Sequence, residues 1–181
     1  MKPTFRVFQA LDRRTARART TAFIGLGRMG SEMAYNLFSK TLTERPDSSF
    51  VVCDAVPESA VSFCRHLRSQ FSGAPVDVAQ TPEEWVSKAL YTFRSGSCYR
   101  LHRAARAAET IVTMLPSSPE VKIVYTESNG IMSALRSFTG NEREQTLLID
   151  STTLDVDVSR RVSSDVAHLG AQMVDAPVSG G

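Results

Sequence analysis

The chain has 181 residues, 42% of them apolar and 22% charged. That is the composition of one folded domain, and it excludes wholesale disorder. No apolar run approaches the ~20 residues that a membrane-spanning helix needs. The net charge of +2 hides two basic patches: residues 1–20 hold six Lys and Arg residues against Asp12 alone, and residues 85–108 hold five with no acid. The rest of the chain is acidic, which argues against a general nucleic-acid surface. The three cysteines, Cys53, Cys64 and Cys98, have no C-x-x-C or zinc-like spacing. They read as core-filling thiols of a reducing compartment.

Residues 1–20 are rich in Arg and poor in acids, with Thr, Ala and Phe between, and lack the continuous apolar stretch of a secretory signal. This composition predicts a mitochondrial transit peptide, placed outside the folded domain at 21–181. Thr21–Asn36 (TAFIGLGRMGSEMAYN) then reads as a strand at Ala22–Ile24, a glycine turn, and a helix carrying Met33, Ala34, Leu37 and Phe38. Gly25 makes the tight turn, Gly27 lets the backbone approach a pyrophosphate, and Gly30 lets the helix pack closely. Free N–H groups and the positive end of the helix dipole face the anion.

Thr41–Ser49, with Pro46, reads as a loop, and Phe50–Cys53 as a strand buried on both faces, ending in Asp54. An acid at that strand end, about 20 residues past the glycines, is where a dinucleotide's adenosine ribose is held. Asp54 would accept from the ribose hydroxyls and repel a 2′-phosphate, which favours NAD over NADP. Pro57 to Phe71 predicts a helix, Val76–Ala79 a third strand, and Thr81-Pro82-Glu83-Glu84 another helix start. Val86–Ala104 fits none of this: it is basic and contains Ser95-Gly96-Ser97. His102 there reads as an incidental exposed residue.

Thr110–Met114 predicts the fourth strand. After it, Ser118 is expected to cap a helix beginning at Pro119, at the ligand-binding edge of the sheet. A turn at Ser128-Asn129-Gly130 precedes a helix at Ile131–Ser137, and Gly140–Gln145 reads as a polar loop. Thr146–Ile149 is the fifth strand. Thr153 is expected to cap a helix that runs past His168 to Gly170, and Ala171–Val174 is the sixth strand, leading to Asp175-Ala176-Pro177-Val178-Ser179-Gly180-Gly181. The fold class that follows is α/β, a Rossmann-type doubly wound parallel sheet.

Four stretches in this order, FIGLGRMGSEMAYNL, TIVTMLPSSPEV, LLIDSTTLD and VDAPVSGG, resemble the β-hydroxyacid dehydrogenases over roughly Ala22 to Gly181. The nearest likeness is to members that oxidise 3-hydroxy-2-methylpropanoate to its semialdehyde with NAD in mitochondrial valine breakdown. The resemblance implies that Gly25, Leu26, Gly27, Arg28, Met29 and Gly30 hold the pyrophosphate, Arg28 standing where the family often has Asn. It matches Asp54 to the ribose acid, Leu115, Pro116 and Glu120 to the loop on the cofactor, and Thr153 to a position near the nicotinamide. Ser151 or Thr152, with Ser179, Gly180 and Gly181, match the pocket for the substrate carboxylate and hydroxyl, where small residues and free amides surround an anion without filling the space.

The family's catalytic lysine belongs to a C-terminal all-helical domain beyond this sequence, so the expectation is a truncated, NAD-binding portion with no catalytic residue of its own. The 86–104 insertion has no family counterpart and suggests an unspliced intron or a wrongly predicted gene model. The partners implied are a small hydroxyacid and no nucleic acid or membrane, with homo-oligomers only for a full-length enzyme. Two alternatives stand beside this reading: a relative acting on another hydroxyacid, such as a tartronate semialdehyde reductase, and a non-catalytic NAD-binding fragment.

Overall fold

The computed structural model describes residues 20–79 and 108–178. The transit-peptide expectation, the helix start at Thr81, the 86–104 insertion and Ser179–Gly181 lie outside them.

Short runs of β-branched and aromatic residues form the strands: β1 at Thr20–Ile24, β2 at Ser49–Cys53, β3 at Val76–Val78, β4 at Thr110–Thr113, β5 at Leu147–Asp150 and β6 at Gln172–Asp175. All pair in parallel, in the order β3-β2-β1-β4-β5-β6. This is the expected doubly wound sheet. Strand order reverses between β1 and β4, so a crevice opens at their carboxyl ends.

Helices cover both faces because the central strands are apolar on both. On one face lie α1 (Arg28–Glu44) and α2 (Pro57–Gln70). Their buried stripes, Gly30, Ala34 and Phe38 on α1 and Ala60, Phe63, Cys64 and Leu67 on α2, repeat at helical spacing. They close over Phe23, Phe50, Val52, Val76 and Val112. Phe38 is the centre of this layer: its ring stacks on Phe50 at 4.2 Å and meets Phe63 and Phe23 edge-on at 5.8 and 6.5 Å. The other face carries α3 (Ser118–Thr126), α4 (Ile131–Ser137) and α6 (Val156–His168), which bury Val121, Tyr125, Leu135 and Val162 against Ala22, Ile111 and Leu148. Cys53 and Cys64 are both buried, one in each layer.

Besides shifts of one or two residues at strand ends, four helices differ from the sequence reading, each for a local reason. Helix α1 runs to Glu44, through the expected loop at Thr41, because the hydroxyls of Thr41 and Thr43 bond back to Leu37 O and Ser39 O and Arg45 N closes on Thr41 O. The polar stretch after Thr139 forms a short helix, α5 (Gly140–Glu144), stapled by a capping box between Thr139 and Glu142. Helix α3 begins one residue early, with Ser117 as its N-cap, while the Ser118 hydroxyl accepts from Asp155 N at 3.1 Å. Helix α6 is capped by Asp155, not Thr153: the Asp155 carboxylate accepts from Asp157 N at 2.8 Å. Gly170, with φ 86°, ends α6 in the left-handed conformation expected there.

Candidate functional site

The chain leaves β1 through Gly25, whose φ of 91° is open to glycine and costly for other residues. A Cβ at Gly25 would also strike the carbonyl oxygen of Met114, just past β4. Backbone bonds lock this crossing, with Gly25 N donating to Cys53 O and Met114 N to Ile24 O, both at 2.9 Å. Gly30, in the first turn of α1, presses on the carbonyl of Gly25, so a Cβ there would collide with backbone as well. Gly27 is different. It is the N-cap of α1, no side chain caps it, and a Cβ there meets no protein atom within 4 Å. The first N–H groups of α1 have no acceptor within the helix and open towards the same space.

Asp54 is drawn onto this turn. Its Oδ2 accepts from Leu26 N at 2.5 Å and its Oδ1 from Val56 N at 2.8 Å. The carboxylate therefore sits beside the glycine turn at the end of β2.

These elements bound a cleft of about 680 Å³. Gly25, Gly27, Arg28, Met29, Gly30, Asp54, Leu115, Pro116 and Glu120 all line it, so nine of the residues singled out in the sequence meet in one place. Leu26 does not line it: its side chain is 5% exposed, in the core, and only its amide reaches Asp54. Thr153 stands apart from the lining, donating to Val178 O at 3.4 Å. Ser151 and Thr152 are buried rather than open to the cleft. The Thr152 hydroxyl accepts from Leu115 N at 3.0 Å, and Ser151 pairs by backbone with Thr113 and Val178.

The structure adds Val56, Met114, Ile123, Val124 and Asn129 to the lining. Ile123 and Val124 follow Glu120 at i+3 and i+4 on α3, a signal available in the sequence once Glu120 is placed in the cleft. Val56 and Ile123 are 53% and 57% exposed, so large apolar side chains line the cleft. At the start of α3, the Ser117 hydroxyl donates to Glu120 Oε2 at 2.5 Å, and this bond holds the Glu120 carboxyl below its ordinary range. The titratable side chains lining the cleft are Arg28, Cys53, Asp54 and Glu120; neither Lys nor His lines it among the described residues.

An elongated polyanion with apolar ends fits this arrangement. The open space over Gly27 leaves room for a phosphate against backbone, the first turn of α1 supplies donors, and Asp54 offers acceptors to sugar hydroxyls. Fold and cleft together define a dinucleotide-binding domain.

The chain belongs to the family described as the NAD binding domain of 6-phosphogluconate dehydrogenase, which matches residues 20–181. It is 31% identical over 180 residues to the mitochondrial 3-hydroxyisobutyrate dehydrogenase of Mus musculus and 30% identical over 182 residues to that of Homo sapiens. Those alignments cover 99% and 100% of this chain, and the chain spans 42% of each relative's length. Among solved structures it is similar to the Mycobacterium tuberculosis 3-hydroxyisobutyrate dehydrogenase with L-serine, at 26% identity and TM-score 0.60, covering 91% of this chain and 42% of that one. The resemblance to β-hydroxyacid dehydrogenases drawn from the four motifs is borne out, and NAD is the cofactor of the family.

Proposed function

We propose that this chain supplies the cofactor-binding half of an NAD-dependent 3-hydroxyisobutyrate dehydrogenase. The observation that carries the reading is the convergence of the glycine turn, Asp54 and the Leu115–Pro116 loop on one cleft at the strand-order switch. In this reading Gly25–Gly30 and the first turn of α1 hold the pyrophosphate, and Asp54 accepts from the adenosine ribose. Arg28, exposed at the cleft edge, adds a phosphate contact. Bound there, the nicotinamide supplies the hydride acceptor for alcohol oxidation.

Oxidising an alcohol also requires a group to take the hydroxyl proton. No lysine or histidine lines the cleft among the described residues, and His168 lies in the last turn of α6, the end remote from the carboxyl edge of the sheet. The proton acceptor therefore comes from outside residues 20–79 and 108–178. In this reading the pocket for the substrate carboxylate draws on Ser151 with Ser179–Gly181, and Thr153 lies near the nicotinamide. The basic stretch at 1–20 directs the protein to the mitochondrial matrix, as the names of the mouse and human relatives suggest for them.

The test is a chimera in which residues 20–178 replace the matching part of the mouse relative. NAD reduction that depends on 3-hydroxyisobutyrate is the expected result. Preference for reducing tartronate semialdehyde would move the assignment to the runner-up hydroxyacid. A folded chimera that binds NADH and turns over neither compound would reduce the proposal to a non-catalytic NAD-binding domain.

A further inference from the structure

A buried polar chain runs from Tyr125 to the Leu115 wall of the cleft, and Tyr125, Thr113 and Asp150 within it have no role above. Thr113 and Asp150 are register partners across β4 and β5, and both are fully buried. The hydrogens run in one direction. Thr113 Oγ1 donates to Asp150 Oδ1 at 3.0 Å, which leaves it to accept from the hydroxyl of buried Tyr125, 3.1 Å away. Asp150 Oδ1 also accepts from Thr152 N at 3.0 Å. The Thr152 hydroxyl in turn accepts from Leu115 N at 3.0 Å, and Leu115 with Pro116 forms one wall of the cleft.

Asp150 Oδ2 is buried with no hydrogen-bond partner in the structure as described, and burial raises the pKa of the carboxyl. An apolar residue would fill that place at lower cost, so a carboxyl retained there calls for a role that an apolar side chain cannot fill. Its visible consequence is geometric. Asp150 fixes the backbone of Thr152, and Thr152 fixes the Leu115 amide.

We infer that Asp150 is a positioning residue, setting through Thr152 the place at which the Leu115–Pro116 wall meets the cofactor beyond its pyrophosphate. The inference rests on the NAD-binding reading. In that reading a dinucleotide lies across the switch point, and Asp54, just past β2, marks the adenosine side. The wall after β4 therefore serves the other half.

This geometry predicts a split between ligands that a merely structural role would not produce. The measurement is calorimetric titration of the 181-residue chain with NADH and with ADP, alongside urea unfolding. Thr152→Val removes the acceptor for Leu115 N while keeping the shape. NADH binding should weaken about tenfold, the scale of one lost hydrogen bond, with ADP binding within about twofold of wild type. Thr152→Ser keeps the acceptor and should restore NADH affinity. Thr113→Val, isosteric within a strand, loosens Asp150 from its other side and should shift the NADH-to-ADP ratio in the same direction. Equal losses for both ligands, or unchanged NADH affinity in folded Thr152→Val or Thr113→Val, would overturn the inference while leaving NAD binding intact. Failure of the wild-type chain to bind either ligand would overturn the NAD reading, and this inference with it.

Discussion

The three glycines of the turn face three different environments, so alanine at each should fail in a different way. Gly25→Ala places an L-residue at φ 91° and drives its Cβ into the Met114 carbonyl. The left-handed conformation costs about 1–2 kcal/mol and backbone overpacking about 1–3, together roughly 2–5 kcal/mol. At this chain length that lowers Tm by roughly 5–15 °C. Gly30→Ala collides with the Gly25 carbonyl but keeps ordinary helical φ, so it should lose only the overpacking part. Gly27→Ala meets no protein atom within 4 Å and has φ −62°. Its stability cost should stay within about 1 kcal/mol, the scale of an N-cap change.

Binding should rank the variants differently. On the proposed reading the alanine Cβ at position 27 would stand where the phosphate approaches, and losing one charge-assisted hydrogen bond of about 1.5–3 kcal/mol would weaken binding roughly 10- to 150-fold. Thermal unfolding followed by circular dichroism, paired with NADH titration, reads both quantities. A Gly27→Ala protein that binds NADH like wild type would refute the assignment of that open space to the cofactor. One that unfolds like Gly25→Ala would refute the packing argument.

Other consequences are more local. Phe38 is fully buried under three aromatic contacts, so Phe38→Ala should cost about 3–5 kcal/mol in urea unfolding. Asp150 has its pKa raised above 3.8, chiefly by burial and in part by Asp175, with neutral Tyr125 the other titratable group on its chain of hydrogen bonds. A raised folded pKa stabilises below the unfolded value, and that contribution is lost as pH rises through the folded one. Asp150→Asn cannot ionise, so its stability relative to wild type should increase as pH rises above 3.8; a difference independent of pH would contradict the assignment. Residues 1–20 fused to a fluorescent protein should carry it to mitochondria, and replacing their arginines with glutamate should abolish import; import unaffected by that change would remove the targeting reading.

Much of the fold was legible because its signals are local. Short β-branched and apolar runs at 50–53 and 110–113, bounded by polar residues and turns, read as strands buried on two faces, and the glycine turn between a strand and a helix specified its own geometry. Asp54 was readable from its distance to the glycines. What escaped depended on partners far along the chain or on side chains bonding back to backbone. Thr41 and Thr43 look like loop residues until their hydroxyls are seen bonding within the helix. The capping box at Thr139 and Glu142 was present in the sequence, hidden in a polar stretch. The family resemblance offers Ser151 or Thr152 for the substrate pocket, but no local pattern shows that the Thr152 hydroxyl holds Leu115, 37 positions earlier. Asn129 enters the cleft only because β4 lies next to β1, a topology no local pattern records.

The central claim is that this cleft binds NAD, with the Asp54 carboxylate excluding a 2′-phosphate. Calorimetric titration of the 181-residue chain with NADH and NADPH tests it most directly. The account predicts saturable binding of NADH at one molecule per chain, and weaker binding of NADPH. Tighter binding of NADPH would contradict the role given to Asp54, and no saturable binding of either would contradict the site itself.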